Sequence, residues 1–132
     1  MPRSESEHPT KLELEILKIL WEESPLPVRE VRSRLETQAD RPLAHSSVIT
    51  MLNIMYRKRF LKRRKAGKSF LFSARVDKGR VSGEMIKDLL VRLFDGSPSA
   101  MMLNLIETTD VDSDELVELR KLISRESMKH DG

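Results

Sequence analysis

Cysteine is absent from the 132-residue sequence, which removes disulfides, thiolate metal sites and a cysteine nucleophile together. Aromatic residues make up only 5%, against 39% hydrophobic and 34% charged residues with seven Met, a balance that suits a mainly helical chain better than a β-rich one. No apolar run approaches the roughly 18 residues of a membrane span. The opening MPRSESEHPT has no hydrophobic segment to act as a signal peptide, so a cytoplasmic location is expected. G-x-x-x-x-G-K, G-x-G-x-x-G, H-E-x-x-H and G-x-S-x-G are all missing, which leaves phosphate-loop, dinucleotide, zincin and hydrolase chemistry without a foothold. His8, His45 and His130 form no set, and His45 beside Ser46 makes no base–nucleophile pair because adjacent helical residues point about 100° apart. The expectation is no catalytic residue, no metal ligand, no cofactor and no enzymatic activity.

One further absence points somewhere. Residues 41–76 carry ten Lys or Arg and no Asp or Glu, whereas residues 1–40 carry six against nine and residues 77–132 eight against twelve. The regional nets of −3, +10 and −4 add to the small formal charge of +3. A solvated charge run does not require 36 residues free of acid. A segment lying on a polyanion does, because a carboxylate at a phosphate contact repels. Nucleic acid is therefore the leading partner.

The acid-free region is built on Ala44 to Leu61, AHSSVITMLNIMYRKRFL, read as one helix. Val48, Met51, Leu52 and Met55 recur at i, i+3, i+4 and i+7 and form an anchoring stripe. Turned away from it are Ser46, Ile49, Thr50 and Asn53, with Ser47 beside them, and then Arg57. Short polar side chains near a helix start can reach base edges in the major groove, and a cation further along suits phosphate.

Ahead of this helix, residues 1–9 read as a flexible tail, and Thr10 with Glu13 forms a T-x-x-E capping box before Leu14, Ile16, Leu17, Ile19, Leu20 and Trp21. The prolines of Ser24 to Pro27 break that helix. Val28, Val31 and Leu35 restart the spacing up to about Gln38. After Leu61 the period drops towards two: LKRRKAGKSFLFSARV reads as a hairpin turning at Lys65, Ala66 and Gly67, with Phe70 and Phe72 on one face. Three helices and a basic hairpin make a winged helix-turn-helix over residues 10–76, with base contacts expected from Ser46, Ser47, Ile49, Thr50 and Asn53. Phosphate contacts are expected from Arg57, Lys62, Arg63, Arg64, Lys65 and Lys68.

From Asp77 acids return. Val81, Met85, Leu89, Leu90, Leu93 and Phe94 make one amphipathic helix that Asp95 to Pro98 ends, Ser99 to Ile106 is a short, nearly all-apolar element, and Asp112 with Glu115 opens a last helix through Leu116, Leu119, Leu122 and Ile123. Some 50 residues of this composition cannot close a core alone. The same segment of a second chain packed about a two-fold axis is the cheapest solution, so residues 77–132 read as a helical dimerisation region using Leu89, Leu90, Leu93, Met101, Met102, Leu105, Leu116, Leu119, Leu122 and Ile123. Folding back on the first domain is the monomeric alternative. The fold class is thus mainly α with a small β-hairpin.

With these motifs in view, the chain resembles the penicillinase repressor family, the BlaI, MecI and CopY type of winged-helix transcriptional repressors. LELEILKILW resembles the family's first helix, VREVRSRL its second, SSVITMLNIMYRKRFL its recognition helix, GKSFLF its wing and FDGSPSAMMLNLIE its dimerisation signature, so the likeness runs from about Thr10 to Ile123. It implies a homodimeric repressor on a palindromic DNA operator. It also implies release by cutting at Asn104–Leu105, where the family has Asn-Phe, with a membrane sensor protease as a further partner. The family's usual Arg is Ile54 here, its Lys-Gly before the wing is Lys58-Arg59, and the Cys-rich end of the copper branch is missing. Two rival readings remain from the residues alone: an accessory protein that binds RNA or DNA without sequence choice, and an interaction module using its C-terminal helices.

Overall fold

The computed structural model describes residues 8–131. Among them are six helices and three strands: α1 (Lys11–Glu22), β1 (Leu26–Pro27), α2 (Val28–Ala39), α3 (His45–Arg57), β2 (Leu61–Ala66), β3 (Ser69–Ala74), α4 (Lys78–Phe94), α5 (Pro98–Thr108) and α6 (Ser113–Asp131). Two compact units divide the chain, residues 1–85 and 86–132, and α4 runs from the first into the second.

In the first unit α1 starts where the capping box puts it. The Glu13 amide donates to Thr10 Oγ1 at 3.2 Å and the Thr10 amide donates to Glu13 Oε1 at 2.9 Å, so two otherwise orphaned donors are satisfied. Residues 1–7 of the expected tail lie outside the described residues, and Pro9 is already buried. The segment expected only to break the chain does more: Leu26 pairs with Phe72 and Pro27 with Leu71, which turns the hairpin into a three-stranded antiparallel sheet ordered β1-β3-β2. An edge position tolerates proline, whose missing N–H leaves no central ladder bond unmade. Leu26 is buried there.

The helix expected to run to Leu61 ends at Arg57 instead. Arg59 takes a left-handed φ of +72°, the Arg59 amide donates to Tyr56 O at 3.0 Å and the Phe60 amide to Met55 O at 2.9 Å. This pair of bonds, with the buried side chains of Phe60 and Met55, is a Schellman cap, and it stands where an L side chain is strained. Leu61 then opens β2. The hairpin turn is also tighter than expected, since Lys65 and Ala66 pair with Phe70 and Ser69 and only Gly67 and Lys68 lie between the strands. Gly67 supplies the positive φ, +65°, that such a short turn needs. The core joins Ile16, Leu17 and Leu20 of α1, Val31 and Leu35 of α2, Val48, Leu52 and Met55 of α3 with Phe60, Leu61 and Phe72.

In the second unit Asp95 and Gly96, at φ +51° and +80°, end α4. Ser97 and Pro98, read from the sequence as the end of that helix, instead start α5: Ser97 Oγ accepts from the Ala100 amide at 3.2 Å and Pro98 takes the first helical position. Asp112 caps α6 by accepting the Glu115 amide at 2.9 Å, and α6 continues well past Ile123. No residue of 86–130 is buried.

Candidate nucleic-acid interface

The 3.6-residue period of α3 sorts its side chains as the sequence suggested. Val48, Leu52 and Met55 are fully buried, whereas Ser46, Ser47, Ile49, Thr50 and Arg57 are exposed and Asn53 is half-buried. Ala44 precedes the helix and has no side-chain oxygen to cap it, leaving first-turn N–H groups to solvent or an anion.

The wing adds its cations on two faces, because neighbouring side chains in a strand alternate. Lys62 and Arg64 stand opposite Ser73 and Leu71, while Arg63 and Lys65 stand opposite Phe72 and Phe70. Lys62, Arg64, Lys65 and Lys68 are exposed. Among the described residues neither these four nor Arg57 makes an ion pair.

Three cations of the acid-free stretch are engaged internally: Arg41 pairs with Glu15 at 2.6 Å, and the other two stand at the end of α3 and on the wing. Lys58 Nζ lies 2.8 Å from Glu13 Oε2, so the capping carboxylate of α1 also holds the C-terminal end of α3. Arg63 lies between two rings, 4.0 Å from the Tyr56 centroid and 4.2 Å from the Phe70 centroid, and its Nη1 donates to Asn53 Oδ1 at 3.1 Å. The structure thus joins one residue expected at the bases, Asn53, to one expected at phosphate, Arg63. Sequence reasoning missed Tyr56 and Phe70 as parts of the site. The available signals were their positions: Tyr56 follows Asn53 by three on α3, and Phe70 alternates with Phe72 on the strand facing Arg63.

The candidate dimerisation residues all lie on α4, α5 and α6. Leu89, Leu93, Leu105, Leu116, Leu122 and Ile123 are exposed, and Leu90, Met101, Met102 and Leu119 are half-buried. Asn104 and Leu105 are exposed within α5, where their carbonyls accept from Thr108 Oγ1 at 2.7 Å and Thr109 Oγ1 at 2.6 Å. No described helix is long and apolar enough to cross a membrane, and no group of described His, Asp and Glu residues could hold a metal ion.

The family model of the penicillinase repressor matches residues 9–125. The chain belongs to the penicillinase repressor family. Its members are transcriptional repressors with a winged-helix DNA-binding fold, not enzymes. Among curated relatives of this repressor, the methicillin resistance regulatory protein MecI of Staphylococcus aureus is 23% identical over 113 residues, covering 86% of this chain and 90% of its own. The penicillinase repressor of Bacillus licheniformis is 27% identical over 112 residues, covering 84% and 85%. The solved complex structure of hsRosR-S4 matches with a TM-score of 0.55 over 96% of each chain at 14% identity, a likeness of fold alone.

Proposed function

We propose that the chain is a homodimeric transcriptional repressor that binds a palindromic operator through two winged helices and is released when the dimer is lost. The observation that carries the dimer is the second unit: no residue of 86–130 is fully buried, and on α4 Ile86, Val91 and Leu93 are each more than half exposed, Leu93 at 65%. At about 25 cal/mol per Å2 of apolar surface, three helices with such faces gain most from a second copy. Each α3 enters a major groove, where Ser46, Ser47, Ile49, Thr50 and Asn53 meet base edges and Arg57, Lys62, Arg64, Lys65 and Lys68 meet phosphate. Linking two half-sites raises affinity through effective concentration, so loss of the link releases the operator while each wing stays folded.

Cleavage at Asn104–Leu105 by a membrane sensor protease would sever α6 from the α4 and α5 faces and so destroy that link. Selection of bound duplexes from random DNA tests the repressor reading: a dyad-symmetric consensus is expected, and no consensus favours the accessory protein that binds without sequence choice. Sedimentation at micromolar concentration should find a dimer. Mass spectrometry in the host after β-lactam exposure should find fragments ending at Asn104, and derepression with the chain intact would rule out the cut.

A further inference from the structure

We propose that Arg63 of the wing is a positioning residue for Asn53, and that by engaging Oδ1 it turns Asn53 towards reading as a donor a base edge that presents acceptors, the N7 and O6 of guanine or the O4 of thymine. The inference rests on the reading of α3 as the helix in the major groove. Asn53 Oδ1 accepts from Arg63 Nη1 at 3.1 Å. Arginine has no acceptor, so whichever way the amide is drawn its oxygen, not its nitrogen, must face the guanidinium. The guanidinium is itself held on both faces, by Tyr56 from the same helix at 4.0 Å and by Phe70 from β3 at 4.2 Å. Two rings and one hydrogen bond leave that planar group little freedom.

An asparagine that reads adenine does so with both arms at once, the oxygen accepting from N6 and the nitrogen donating to N7. Both arms of a planar amide must then face the same base. Here Oδ1 is engaged by the wing, which fixes the plane of the amide and leaves Nδ2 as the arm with no internal partner among the described residues. An edge that offers only donors, the cytosine N4, cannot pair with Nδ2, and adenine can meet only half of the pair. The wing thus sets what the recognition helix reads without touching the base.

The test is selection from random duplexes with the full-length chain, its Asn53→Ala variant and its Arg63→Met and Arg63→Lys variants. Asn53→Ala marks the operator position that Asn53 reads, which in the wild type should be guanine or thymine on the contacted strand. Arg63→Met frees Oδ1 and should move preference at that one position towards adenine by about 5- to 150-fold, the span of a good bidentate pair, with the other positions unchanged. Arg63→Lys keeps the charge but loses the flat group that fits between two rings, and should loosen the same position while the salt dependence of binding stays at the wild-type slope. The proposal is overturned if wild type prefers adenine there. It is also overturned if both Arg63 variants keep the wild-type preference while Arg63→Met lowers the salt slope by about one unit, the signature of a phosphate contact. Absence of any consensus would remove base reading by α3 itself, and this proposal with it, whereas an unchanged preference in the Arg63 variants would leave the repressor reading standing.

Discussion

The contact between Glu13 and Lys58 links the first turn of α1 to the end of α3, and its removal has a calculable cost. The Glu13 side chain is 2% exposed and that of Lys58 30%, with 2.8 Å between Nζ and Oε2. Removing one partner of a fully buried pair costs about 3 to 5 kcal/mol because a charge is left behind in a dry place. Lys58 keeps part of its surface in water, so about half of that, roughly 2 kcal/mol, is expected for Lys58→Met. Glu13→Gln removes the charge but keeps an oxygen for the Thr10 amide, so about 1 kcal/mol is expected. The double variant has neither a stranded carboxylate nor a stranded ammonium, and should cost at least 1 kcal/mol less than the two single changes together. With about 4 to 8 °C per kcal/mol for a domain of this size, Lys58→Met should lower the midpoint by roughly 10 °C. Thermal and urea unfolding can be followed at Trp21, the sole tryptophan, which sits on α1 and donates from Nε1 to Val76 O at 2.9 Å. Additive effects within about 0.3 kcal/mol, or a larger loss for Glu13→Gln than for Lys58→Met, would refute the reasoning.

Three further outcomes are expected. Arg59→Gly should stabilise the first unit by about 0.5 to 1 kcal/mol, because relief of the left-handed strain at φ +72° exceeds the added freedom of the unfolded chain, and Arg59→Ala, which keeps the strain, should not; urea midpoints check this. The hydrogen bond from Arg41 Nε to Glu15 Oε1, at 2.6 Å, holds the Glu15 carboxyl below its ordinary 4.5, so the stability it contributes is present at neutral pH and is lost as pH falls below about 4.5 through the lowered folded value. In an NMR pH titration Arg41→Ala should raise the Glu15 midpoint, and the stability gap between wild type and variant should close in acid; a gap that widens there contradicts the assignment. Lys62→Ala and Arg64→Ala should each weaken binding to all duplexes alike and lower the salt slope by about one unit, measured by fluorescence anisotropy between 50 and 200 mM salt.

Much of the fold was legible because local chemistry announces it. The Thr10 and Glu13 box, the Val48, Leu52 and Met55 stripe and the alternation of Phe70 and Phe72 are periodic signals, and each element stands where its signal lies. The errors came at boundaries. Ser97 and Pro98 can close one helix or open the next, and the sequence reads the same for both. The end of α3 was overrun because an arginine carries no sign that it will take the conformation a glycine usually takes.

What the sequence by itself determined is the class of partner and the patterns on which a binding surface is proposed: 36 residues with ten cations and no acid, an amphipathic helix with short polar groups turned outward, and a C-terminal segment too apolar and too short to close a core of its own. Composition and period carry these because they depend on neighbours three or four residues away. Only the tertiary structure decided which cations are free and what they hold. Glu13 and Lys58 are 45 residues apart in sequence, Leu26 meets Phe72 although α2, α3 and β2 lie between them in the chain, and Arg63 of β2 finds Asn53 and Tyr56 on α3 and Phe70 on β3. Such pairings follow from how the helices and sheet close around one core, and the local pattern marks at most the face a residue stands on, not the partner it meets across the core.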